Sequence, residues 1–158
     1  MPVNRVRMLV AAIADGVTAS PEQVHGLTED ELREVEQDQA APFGAAYRCF
    51  LELAGRGAGH FFEGSDMFYP LVLGLGTGAR ELLEENRVRF VLADTDRVIL
   101  MHQGYHFDFL RGTGDDPEVW SYDECSIPEP TLTSPRFTDW LEVQVRARTE
   151  WRRRFSGQ

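Results

Sequence analysis

The spacing of apolar residues changes several times along the chain, and each change marks a new element. Val6, Leu9, Val10 and Ile13 recur at helical spacing within Val3–Gly16, and the glycine supplies a stop. A linker over Val17–Gly26 follows. Thr28 and Glu31 then form a capping box, which satisfies two backbone donors at a helix start. The helix it opens, Glu29–Gln39, has only Leu32 and Val35 as apolar positions. Acids at 29, 30, 31, 34, 36 and 38 cover the rest, so a narrow buried stripe carries an acidic outer face. After Pro42, a third helix over Phe43–Ala54 is marked by Tyr47, Phe50, Leu51 and Leu53, with Gly55 as a left-handed terminator. His60–Glu63 and Met67–Leu73 read as one or two short strands. The run Gly74-Leu75-Gly76-Thr77-Gly78 reads as a loop feeding a helix over Ala79–Asn86, and Val88–Leu92 as another short strand.

From Arg97 the period becomes two. Arg97–His102 and Tyr105–Arg111 flank Gln103-Gly104 and predict a β-hairpin. A two-residue turn sets His102 opposite Tyr105, Leu100 opposite Phe107 and Val98 opposite Phe109. Val98, Leu100, Tyr105, Phe107 and Phe109 then share a core face, whereas His102 and His106 fall on opposite faces. An acidic loop through Asp115 and Asp116 leads to a third strand, Val119–Tyr122, closed by Asp123 and Glu124. Ser134-Pro135 supplies an N-cap and first-turn pair for a final helix from Arg136. That helix carries Phe137, Trp140, Leu141 and Val145, then Arg146, Arg148, Trp151 and Arg152–Arg154.

At 158 residues, 42% of them hydrophobic and 27% charged, the chain has the make-up of a single globular domain over 1–158. A chain of this length buries roughly 70% of its unfolded surface. Its longest apolar runs fall well short of the ~18 residues of a membrane span. Met1–Gly16 has two arginines before a short apolar run, as a signal peptide would. Asp15 interrupts that run and no small-x-small cleavage site follows, so an amphipathic helix is the reading.

The net charge of −10 is unevenly laid out. Residues 1–145 carry −14 and residues 146–158 carry +4, and every basic residue is Arg. An acidic body repels nucleic-acid phosphates and anionic lipid and attracts basic partners. Cys49 and Cys125 lack zinc-site spacing and read as free thiols of a cytoplasmic protein.

Candidate chemistry is sparse. Gly74–Gly78 is GxGxG rather than GxGxxG, and the absence of Lys excludes a P-loop. His102 and His106, on opposite faces in the two-residue register, do not converge on a metal, and His60 beside Phe61 and Phe62 reads as a half-buried strand residue. Cys49 reads as a buried structural thiol. Asp94-Thr95-Asp96 and Asp115-Asp116 read as solvated turn acids. The expectation is a protein with no catalytic residue, no metal site and no cofactor.

His102-Gln103-Gly104-Tyr105, Phe107-x-Phe109, the loop through Asp115-Asp116-Pro117 and Val119-x-x-Tyr122 together resemble a segment of the SUKH superfamily. This group contains the bacterial Syd protein and yeast cell-wall-synthesis regulators. Tyr47-x-x-Phe50-Leu51 ending at Gly55 and Phe137-x-x-Trp140-Leu141 resemble its early and closing helices. The resemblance covers about 42–141; residues 1–41 form a helical extension and 142–158 an Arg-rich end. It implies an α+β domain, a mostly antiparallel sheet with helices packed on one side, without catalytic residues, to which the apolar spacing adds N-terminal helices and a long C-terminal helix.

Many bacterial members are immunity proteins that neutralise a cognate toxin, commonly a nuclease, of a polymorphic toxin system. Other members are regulatory adaptors, which is the alternative reading here; an enzyme is the third. On the immunity reading, Asp94, Asp96, Asp115, Asp116, Glu118, Asp123 and Glu124 form a surface for a basic toxin domain, with Trp120 or Tyr122 as its apolar anchor. Nucleic acid and membranes are not expected partners.

Overall fold

The helices follow the apolar spacing closely, and their ends show what the spacing leaves open. In the computed structural model, which describes residues 1–155, α1 spans Pro2–Ile13, α2 Glu29–Asp38, α3 Ala45–Ala54, α4 Leu75–Glu85 and α5 Phe137–Phe155. Thr28 and Glu31 cap α2 reciprocally, at 3.3 and 2.9 Å. Leu32 and Val35 are its buried residues.

Helix α4 begins four residues before the expected start. Gly74, at φ 84°, turns the chain left-handed at the N-cap, and its N–H donates to Asp38. Gly76 lies inside the helix because a Cβ there would crowd Gln39 and Arg80, at 3.1 and 3.2 Å. Gly55 is not left-handed; its φ is −64°. Its constraint is close approach, since a Cβ would meet the Leu51 carbonyl oxygen at 2.6 Å and Leu27 at 2.8 Å. The cap of α5 comes from another part of the chain rather than from Ser134. Asp116 accepts Thr138 N–H at 2.9 Å and the Thr138 hydroxyl at 2.6 Å.

Two antiparallel sheets form. In the small one, β1 (Val24–His25) pairs with β2 (Gly57–Ala58). The other has the order β3 (Ser65–Asp66), β4 (Arg97–His102), β5 (His106–Arg111), β6 (Glu118–Asp123) and β7 (Thr131–Ser134). The expected linker over Val17–Gly26 therefore holds a strand, and β7 is a strand without a sequence-level prediction. His60–Glu63 is not a strand, because Gly59, Phe62 and Gly64 all have positive φ and no ladder runs through such backbone. Met67–Leu73 coils into turns, with Val72 N–H donating to the Phe68 carbonyl. Val88–Leu92 forms no ladder; Phe90 instead packs on Phe109 and Trp120.

The central hairpin turns through three residues, not two. Gln103 and Gly104 have φ 48° and 78°, and Tyr105 completes the loop. His102 therefore pairs with His106, Met101 with Phe107 and Leu100 with Asp108. A bulge at Ile99 then restores the Val98–Phe109 pairing. Leu100, His102, His106 and Asp108 share one face; Val98, Met101, Phe107 and Phe109 share the other. Val98, Leu100, Phe107 and Phe109 are buried as expected, whereas Tyr105 is half-buried in the loop.

Helices α1, α3 and α5 form one layer. Arg5 of α1 bridges Asp139 and Glu142 of α5, each at 2.7 Å, and Tyr47 and Phe50 of α3 pack edge-on against Phe137. The opposite face is closed by α4, whose Gly78 lies over Met101, and by Phe90. Arg97 locks α2 to the sheet. Its buried guanidinium donates to the carbonyls of Val35, Glu36, Gln39 and Ala41 at the negative end of α2, and stacks on Phe43 at 4.6 Å. Gln39 pairs with both Val98 N–H and C=O at 2.8 Å, taking the place of a strand at that edge.

Candidate functional site

Strand β6 runs the height of the sheet, so the acids at its two ends cannot form one surface. Asp94, Asp96, Asp115, Asp116 and Glu118 lie at the end where β4 and β6 begin and β5 finishes; Asp123 and Glu124 lie at the hairpin tip, roughly 17 Å away. Proximity in sequence around the hairpin hides this separation. Nor are all of these acids presented. Asp96 is buried and holds Arg111 through both oxygens, at 3.0 and 2.7 Å, with Arg111 stacked on Phe90 and Trp120. Asp116 is committed to capping α5, and Asp123 accepts from Cys125 N–H and His106. Asp94, Asp115, Glu118 and Glu124 are exposed. Tyr122 is buried, leaving half-buried Trp120 as the available anchor. It pairs across the sheet with Leu132 of β7, itself half exposed.

The structure adds acids from α2 at the first end. Asp38 and Asp94 line one cleft of about 170 Å³ with Arg80 and Thr77. Exposed Glu29, Glu34 and Glu36 continue along the same helix, with Glu29 and Glu36 sharing Arg48 at 3.8 Å each. The first turn of α3 touches the Asp115 loop, because Ala46 N–H donates to the Asp115 carbonyl at 2.9 Å. This end of the molecule is an acidic rim, with Arg48 and Arg80 set among its carboxylates.

A second site lies on the α5 side of the hairpin tip. Phe62, Ser65, Leu100, His102, Tyr105, His106, Asp108, Asp123, Gln144 and Arg148 line a cleft of about 400 Å³. The three-residue turn creates it by putting His102 and His106 on one face, contrary to the two-residue register. Both nitrogens of His106 face carboxylates, Asp108 at 3.0 Å and Asp123 at 3.2 Å. The hydrogen bond to Asp108 raises the His106 pKa against the cost of burial, with Asp123 adding to the rise. Asp123 is pushed the other way: burial opposes its ionisation, but the Cys125 N–H and His106 outweigh it and the pKa falls. Asp108 is further held by the Ser121 hydroxyl, and Ser121 by Thr133 at 2.6 Å.

This arrangement favours the protonated ring. With each ring nitrogen directed at a carboxylate, His106 in its protonated form has no lone pair to take a proton from a substrate. Ser65 and His102 lie 2.7 Å apart as cross-strand neighbours, and the other contact of His102 is the edge-on ring of Tyr105. No carboxylate orients His102 among the described residues. Nor do three or more His, Cys, Asp or Glu side chains gather in a metal-binding group there. Cys49 is buried, which pushes its thiol pKa up; Cys125 is exposed, and both are free. No helix among the described residues is long and apolar enough to cross a membrane. Sequence reasoning missed Ser65, Ser121, Thr133 and Arg148. The available signal was Asp108, an acid in the middle of the aromatic strand His106–Arg111, which needs a buried partner. No protein-family model and no curated protein matches the chain.

Proposed function

We propose that this chain is a non-catalytic binding protein of the cytoplasm that neutralises a basic toxin domain, as immunity proteins of polymorphic toxin systems do. The observation that carries this reading is the acidic rim at one end of the sheet, where Asp94, Asp115 and Glu118 meet the exposed acids of α2. A nuclease is basic where it holds phosphates, and carboxylates on a rigid surface can occupy that site in place of the nucleic acid. Trp120 and Leu132, beside Glu118 on the β6–β7 edge, supply the apolar contact that tight binding requires. The resemblance to the SUKH superfamily supports the same reading.

The test is to co-purify the full chain with the variable C-terminal domain of a secreted protein encoded beside it, and to assay that domain's activity. The expected result is a stoichiometric complex in which the toxin activity is lost. Two components that elute separately, with full toxin activity, would overturn the reading.

A further inference from the structure

Arg148 stands where two clefts meet along α5. One is the His106 cleft; the other, of about 420 Å³, is lined by His60, Glu63, Gln144 and Trp151 among others. The Arg148 guanidinium lies 3.7 Å from the centre of the Phe62 ring. Its Nε is buried without a hydrogen-bond partner among the described residues, and its Nη2 makes one long contact, 3.5 Å, to Gln144. Three other arginines withdrawn from solvent make short contacts instead: Arg111 to Asp96, Arg5 to Asp139 and Glu142, and Arg97 to backbone carbonyls. Burial lowers the pKa of Arg148, and Asp108 only partly offsets this. Asp108 and Asp123 are already engaged with His106. A guanidinium held on an aromatic face at the mouth of a cleft, with its donors largely unspent, is a receptor for an anion.

We propose that this cleft binds a small organic monocarboxylate, its carboxylate on the Arg148 guanidinium and its apolar body against Phe62, Leu100 and Tyr105. The planar, singly charged group matches the guanidinium fork, and Gln144 and Ser65 stand nearby as neutral polar partners. A dianion such as phosphate is repelled by Asp108 and Asp123 on the cleft wall. The volume is that of a small-molecule site, with Phe62, Leu100 and Tyr105 as its apolar patch among polar side chains. This inference does not depend on the toxin-binding reading, since the acidic rim lies at the other end of the sheet.

The test titrates the full chain with phenylacetate, with its neutral isostere phenylacetamide and with inorganic phosphate, followed by calorimetry and by amide NMR shifts. Phenylacetate is expected to bind saturably, with shifts centred on His102, His106 and Arg148, and the other two at least tenfold more weakly, on the order of one charge-assisted hydrogen bond. Arg148→Gln is expected to weaken phenylacetate binding about 10- to 100-fold, with Arg148→Lys in between. Equal binding of phenylacetamide, no saturable binding of phenylacetate, or shifts centred on Arg153 and Arg154 would each overturn the proposal. If Arg148→Gln fails to fold by circular dichroism, the wild-type comparison of phenylacetate with phenylacetamide decides it.

Discussion

Single side chains carry the parts of this structure that periodicity does not encode. Arg97 reads in sequence as the polar start of a strand, yet it is a buried cap for α2, and only the fold brings the carbonyls of residues 35–41 to it. Asp96 reads as a surface turn acid, yet it is buried beneath Arg111. His106 is the residue whose placement has a measurable pH signature. Its folded pKa lies above the ordinary 6.5, chiefly through Asp108 and then Asp123, with Arg148 facing it across the cleft. Its contribution to stability is therefore complete below the unfolded value and is lost as pH rises through the raised folded value. Asp123, whose pKa is lowered from 3.8, contributes above that value and loses its contribution as pH falls through the lower one. The pair is most stabilising between the two unfolded values. His106→Asn is expected to lose about 1–3 kcal/mol in urea unfolding within that window, on the scale of hydrogen bonds to charged groups. The difference from wild type should shrink on the alkaline side of the raised pKa. A difference that stays constant across pH would mean that His106 acts through packing and not through its charge.

At the scale of elements, capping boxes and apolar stripes were legible because they are local: α2 and α3 lie within two residues of their expected ranges and α1 within three. The strands before Arg97 were not, because positive φ at Gly59, Phe62 and Gly64 is a backbone property that the aromatic run 60–63 conceals. The hairpin shows how one residue in a turn redistributes a whole strand. Counting Tyr105 into the loop moves Leu100 and His102 to the histidine face, and the bulge at Ile99 returns Val98 to the aromatic face. The two registers differ in what Tyr105 does. In the observed one, Phe107 is fully buried against Phe109 and Tyr122, whereas Tyr105 is half-buried at the tip. Phe107→Ala should cost about 3–5 kcal/mol, a large share of a domain's total stability, and Tyr105→Ala much less. Thermal melts of the two variants check this; equal losses would restore the two-residue turn.

At the scale of the molecule, the sequence-level split of charge becomes a spatial one. Helix α5 starts beside Asp116 at the acidic end and runs 19 residues, roughly 28 Å, to a last turn of Arg152, Arg153 and Arg154. That turn is also where the helix dipole favours cations. The Arg cluster that ends α5 therefore lies far from the acidic rim, whose own cations are Arg48, Arg80 and Arg111, while Asp123 and Glu124 sit at the far end of the sheet. If the rim captures a basic toxin domain, its main effect is on the rate of encounter, because exposed charges are screened over about 8 Å at physiological salt and act at long range only below it. Replacing Glu36, Asp38, Asp94 and Asp115 by Gln or Asn should slow association about tenfold or more at low salt, and the variant and wild-type rates should converge as salt is added. Glu124→Gln, at the hairpin tip, should leave the rate unchanged. Stopped-flow measurements across a salt series distinguish the two ends. A slow variant at the tip with a normal one at the rim would move the docking surface to the opposite end of the sheet. Equal rates for all would leave toxin capture to the apolar contact at Trp120 and Leu132 alone, where a loss of affinity must appear in dissociation rather than association.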